Sequence, residues 1–81
     1  MEKNIFLTNH AKIKMEERAI SLSMIKETIK NPDSIIQDKL DATISHFIKK
    51  FEEKHLRVLL RKENEINIII TIFFDRRIER C

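Results

Sequence analysis

Apolar positions recur along this chain with two different periods, and the change falls at Asn31-Pro32-Asp33. Before that point the spacing is helical. Ala11 and Met15 lie four apart and form an apolar seam, while Lys12 and Glu16 point away from it. Thr8 or Asn9 supplies a capping oxygen for a helix over His10 to Arg18. Ile20 sits in a bend and Ser21 caps a second helix. Leu22, Ile25 and Ile29 then repeat at i, i+3, i+7. Asn31 suits a left-handed helix end, and Pro32 cannot continue the turn. Asn4 to Leu7, ahead of both helices, is a short apolar segment with the character of an edge strand.

After Asp33 the period shortens to two. Ser34 to Gln37 is short and β-branched. Thr43 to Phe51 alternates loosely, with Ile44, His46, Ile48 and Lys50 on one face, the face expected to meet the helices. His55 to Lys62 alternates more sharply: Leu56, Val58 and Leu60 face one way, His55, Arg57 and Arg61 the other. Ile66 to Phe74 is apolar on both sides apart from Asn67 and Thr71, which predicts a central strand. Polar turns at Glu52-Glu53-Lys54 and Lys62-Glu63-Asn64-Glu65 favour consecutive antiparallel hairpins. The expected fold is α+β: two N-terminal helices on one face of a three- to four-stranded antiparallel sheet. The other face is left partly open and carries His55, Arg57 and Arg61. A single domain fills residues 1–81, and residues 75–81 form a basic tail with Arg76 and Arg77.

Composition narrows the chemistry. At 81 residues the chain is one small domain with a thin core. It is 42% hydrophobic and 36% charged, as expected of a folded chain. Its net charge of +3 is compatible with nucleic acid or another acidic partner. There is no glycine, so no P-loop and no dinucleotide fingerprint. With no Trp or Tyr, base stacking falls to Phe, His and the arginine planes. No apolar run is long enough for a membrane helix, and the start lacks a signal-peptide pattern. The single cysteine, Cys81, forbids an internal disulfide and fits a reducing cytoplasm. His10, His46, His55 and Cys81 lack metal-ligand spacing, so no metal or other cofactor is expected.

Two constellations remain. His10, Lys14 and Arg18 fall at about 0°, 40° and 80° around the first helix and form one basic stripe beside its apolar seam. At the rim of helix and sheet they could converge with strand residues, or they could be a solvated cationic edge. His55, Arg57 and Arg61 share one strand face at about 6.5 to 7 Å per two residues, a spacing near that of a nucleic-acid backbone. Ordinary solubilising charge would give the same pattern. Thr71 is either a hydroxyl bonded to the helix layer or a group that orients a catalytic histidine. His46 reads as a satisfied core histidine.

The run His10-Ala11-Lys12-Ile13-Lys14-Met15-Glu16-Glu17-Arg18-Ala19-Ile20-Ser21 resembles the H-A-x-x-R-M-x-x-R-G-I-S opening of a family of small bacterial and archaeal domains. That family is grouped with RelE- and ParE-type toxins, in the wider barnase, EndoU and colicin ribonuclease assemblage. Asn31-Pro32-Asp33, Leu56-Arg57-Val58 and Ile70-Thr71-Ile72 fall where the family has comparable segments. Lys14 stands where the family has Arg, which loses the planar fork for phosphate. Ala19 stands where Gly is usual, so the bend lacks an easy positive φ.

The resemblance implies a toxin-like component of a toxin–antitoxin pair, an mRNA interferase-like endoribonuclease working without a metal. His10, Arg18 and Thr71 would be catalytic, with His10 as acid or base. Lys14, His55, Arg57, Arg61, Arg76 and Arg77 would hold RNA phosphates. Its partners would be RNA, including ribosome-bound mRNA, and a cognate antitoxin. The alternative is a non-catalytic binding module of the same fold, acting on a protein such as gyrase or on nucleic acid.

Overall fold

The computed structural model describes residues 4–75. The chain runs β1 (Asn4–Leu7), α1 (Asn9–Arg18), α2 (Leu22–Lys30), β2 (Ser34–Gln37), β3 (Ile44–Phe51), β4 (Lys54–Glu63) and β5 (Ile66–Asp75). The strands form one five-stranded sheet in the order β1-β5-β4-β3-β2. The helical pair carries the chain from one sheet edge to the opposite one, and a four-strand meander walks back. The last meander strand, β5, meets β1 in parallel, while every other pairing is antiparallel.

The sheet is therefore mixed and five-stranded, not a three- to four-stranded antiparallel one. Hairpin signals report only neighbours in sequence. The parallel pairing joins Asn4–Leu7 to Ile66–Ile69, across almost the whole chain, and no local turn signals it.

Thr8 closes that pairing. Its backbone N–H donates to the Ile69 carbonyl at 3.3 Å, and its hydroxyl donates to the same carbonyl at 2.8 Å. The Thr8 Oγ1 also lies 3.2 Å from the Ile70 carbonyl and accepts from the Ala11 N–H at 3.2 Å. One side chain thus caps α1 and ties its start to β5. Ser21 caps α2 more simply, accepting from Met24 N–H at 3.2 Å.

Both helices cover the same side of the sheet. Ala11, Ile20 and Ile25 join Leu56, Val58, Leu60, Ile69 and Ile72 in the core. β5 changes phase on the way. Asn67 and Ile69 are buried, then Ile72, because the register shifts opposite Leu59 and Leu60. This bulge puts one extra residue into β5 and re-aims the residues beyond it. Thr71, which strict alternation would align with Asn67 and Ile69, instead pairs with Leu59 on the helix-free side.

Between the helices Ala19 takes φ 54°, ψ 42°, a left-handed conformation that closes α1 through its N–H to Glu16 and Met15 carbonyls. A Cβ is unfavourable there by about 1–2 kcal/mol. Ala19→Gly should therefore stabilise the fold by about 0.5–1 kcal/mol, the relief exceeding the added freedom of the unfolded chain. A lower urea midpoint for the variant would refute this. Thr8→Val should cost about 2–3 kcal/mol, since a cap and a hydrogen bond to β5 go together. Thr8→Ser should retain most of that stability in the same urea titration.

Candidate functional site

The side of the sheet without helices carries the candidate site. Residues paired across strands share a face, so the register fixes its rows. One row runs Ile36, His46, Leu59, Thr71; the next runs Ser34, Ile48, Arg57, Phe73. A third holds Ile44, Arg61, Ile68 and Phe6, and a fourth Lys50, His55 and Asp75. Arg57 and Arg61 are the diagonal neighbours of Thr71 on β4. Three of the expected site residues are thus brought together, with His55 one row further along.

His46 corrects an expectation: it lies on the helix-free face, not against the helices. The alternate residues Phe47 and Phe51 pack against the helix-side core instead. Two bulky aromatics outweigh the smaller aliphatic run that Ile44 and Ile48 offered. On its own face His46 bridges two charged groups. Its Nε2 lies 2.8 Å from Asp38 Oδ1, and Arg57 NH1 lies 2.7 Å from its Nδ1. A guanidinium can only donate, so Nδ1 accepts and the proton sits on Nε2, donated to Asp38. Arg57 NH2 then lies 3.5 Å from Asp75 Oδ2, and Arg57 Nε is buried with no hydrogen-bond partner.

Asp38 is held by a loop built for it. Its Oδ2 accepts the Leu40 and Asp41 N–H groups, each at 3.0 Å, while its own N–H donates to the Ile44 carbonyl at 2.9 Å. Asp41 in turn accepts from Thr43 N–H and Oγ1 at 3.0 and 2.6 Å. The hydrogen bond from His46 pulls the Asp38 carboxyl below its ordinary value, against some desolvation, and the two backbone donors add to it. Asp41 is lowered chiefly by Thr43.

The remaining expected residues lie elsewhere. His10 and Arg18 are exposed on α1. Lys14 pairs at 3.5 Å with Glu17. The stripe rides on a helix that covers the far side of the sheet from Arg57 and Arg61. No hydrogen bond or ion pair joins His10, Lys14 or Arg18 to those arginines or to Thr71 among the described residues. Arg61 Nε lies 3.2 Å from Glu63 Oε2, close enough for an ion pair, though it is not aligned as a hydrogen bond. Asp75 is the last residue of β5 and not the start of a tail; Arg76 and Arg77 lie outside the described residues. Among the described residues no three His, Cys, Asp or Glu gather as a metal site, and no helix is long and apolar enough to cross a membrane.

Asp38, His46 and Asp75 are the members that sequence reasoning missed. Asp38, Asp41 and Thr43 carried a signal, because such residues at short spacing build side-chain-capped turns. Nothing local pointed to their meeting with Arg57.

Fold and site together define a two-layer α+β domain with a charged side-chain chain across the sheet face that carries no helix among the described residues. Residues 7–74 match the family described as a domain of unknown function, DUF4258, and the chain belongs to that family. No curated protein and no solved structure matches it.

The lowered carboxyl gives a signed prediction. A depressed native pKa stabilises the fold above the unfolded-state value of about 3.9, and that stability is lost as pH falls through the lower native value. Asp38→Asn should therefore flatten the acid limb of a stability-versus-pH curve below about pH 4. Urea unfolding across that range checks it, and an unchanged acid slope would contradict it.

Proposed function

We propose that this domain is the RNA-acting, toxin-like component of a toxin–antitoxin pair, related to RelE- and ParE-type toxins. It cuts RNA by general acid–base catalysis. One observation carries the reading: Thr8 bonds the carbonyl of Ile70, the residue before Thr71, and two residues beyond Thr8 stands the exposed His10. Thr8 thus links the start of α1 to the β5 bulge, beside which Thr71 stands between Arg57 and Arg61. The reading requires a phosphate at the sheet rim that His10 contacts from the helix side and Arg61 from the helix-free side. His10 would accept the 2′-hydroxyl proton as the 2′-oxygen attacks phosphorus. The bond to the 5′-oxygen breaks, and the leaving oxygen takes a proton from water while His10 holds the one from the 2′-hydroxyl. Arg61 would carry developing charge with Arg18 and Lys14 assisting, and His55 extends the basic track. An antitoxin would cover the same face.

A specific observation favours the second reading, a non-catalytic module that binds a protein such as gyrase or a nucleic acid. Arg57 is already engaged by His46 and Asp75, and among the described residues no hydrogen bond or ion pair links the helical stripe to it. A guanidinium so held supports a fixed interface better than a mobile transition-state clamp.

Brief induction of the chain in a bacterial host, with transcript 5′ ends mapped, separates the two. Under the ribonuclease reading new ends appear. His10→Ala should remove them by at least about 100-fold at matched soluble expression, the contribution of one acid–base group. Growth arrest with intact transcripts would move the assignment to the binding module. Arg61→Glu should weaken either activity.

A further inference from the structure

β1 is an edge strand, hydrogen-bonded to β5 on one side only. Its outward backbone groups have no ladder partner among the described strands. Natural sheets guard such edges by keeping them short, as β1 is at four residues, or with charge, proline or a bulge inside the strand. Asn4-Ile5-Phe6-Leu7 carries neither charge nor proline, and its pairing with β5 is unbroken. Beside the strand runs an open groove of about 430 Å³, lined by all four β1 residues, by Lys12 of α1 and by Leu22 and Lys26 of α2. Phe6 is 58% exposed and Leu22 39%. Ile5 and Leu7 continue into the core.

The charged groups of this groove are of one sign. Lys12 and Lys26 are both exposed, and neither is ion-paired with an acidic side chain among the described residues. Pairing the edges of two copies would bring four such lysines together, so the charge disfavours self-association. It favours an incoming strand that carries carboxylates. We propose that the β1 groove is a docking site for an extended, acidic segment of a partner protein, added as a sixth strand. Its backbone would complete the β1 ladder, its helix-side carboxylates would pair with Lys12 and Lys26, and its apolar side chains on the other face would meet the exposed Phe6. This inference does not rest on the reading of the helix-free face, because the groove lies at the sheet edge under the helices.

The test uses the whole chain and three probes: acetyl-Glu-Val-Glu-Val-Glu-Val-amide, its counterpart with Lys for Glu, and the acidic peptide N-methylated at alternate residues. Amide NMR titration of the wild-type chain with the acidic peptide should shift Asn4–Leu7, Lys12, Leu22 and Lys26. N-methylation should abolish these shifts by removing backbone pairing. The exposed double substitution Lys12→Glu with Lys26→Glu should weaken the acidic peptide by about tenfold and make the basic one the tighter binder. Equal binding of acidic and basic peptides by the wild-type chain would overturn the proposal in favour of plain apolar docking. Shifts at β1 that grow with protein concentration, with no peptide present, would overturn it in favour of a second copy. Absence of shifts at these residues would remove the site.

Discussion

A single threonine holds the two halves of this domain together. Thr8 ends β1, caps α1 and bonds two successive β5 carbonyls. Without it the parallel pairing of β1 would rest on four residues, and a strand that short has little ladder of its own. The clamp fixes more than an edge. It sets the angle at which α1 leaves the sheet, and so which side of α1 meets Ile69 and Ile72. It also grips β5 at the residues where the bulge sits, so the phase change in β5 and the start of α1 are one local structure.

That phase change distributes the chemistry. Before the bulge the odd-numbered residues of β5 are buried, and beyond it Ile72 is buried and Thr71 turns outward. The helix-free face thereby gains a hydroxyl between two arginines. It also gains a solvation problem, because Arg57 lies in a row with Ile48, which has no exposed surface, and Phe73. A guanidinium over such apolar neighbours needs partners, since losing hydration without new hydrogen bonds costs several kcal/mol, on the order of 2–7 for a neutral polar group alone. His46 and Asp75 supply them, and Asp38 makes His46 able to do so by fixing its tautomer. The polar chain is the consequence of placing an arginine on a sheet face that is otherwise largely isoleucine, leucine and phenylalanine.

Much of this was legible in the chain. The helix caps at Thr8 and Ser21, the α1 seam of Ala11 and Met15, and the outward face of β4 follow from local chemistry and period. Four features were not legible, each for a physical reason. The parallel β1–β5 pairing joins segments at opposite ends of the chain, where no turn residue announces it. The bulge breaks the period of two on which facing was read, so Thr71 could not be placed. The side taken by His46 depended on whether Phe47 and Phe51 or Ile44 and Ile48 went inward, and alternation alone names two faces without saying which is covered. Asp38 was passed over because its partner comes from another strand.

The absence of glycine makes one further point about how such a chain is built. Three turns here need a left-handed residue and use Ala19, Glu52 and Asn64. Asparagine tolerates that region, but alanine and glutamate do not favour it. Each of the two strand turns is the two-residue connection of a long hairpin, and each hairpin repays the local strain with a full ladder: Ile44–Phe51 against Lys54–Arg61, and His55–Glu63 against Ile66–Asp75. Ala19 has no such ladder beside it. Its compensation is the Ile20 side chain, 3% exposed, which the bend drives into the core next to Ala11 and Ile25. The strained residue and the buried one are adjacent because the same backbone reversal produces both. A glycine there would ease the bend without changing where Ile20 goes, so alanine at this position alters stability and leaves the geometry of α1 and its basic stripe intact.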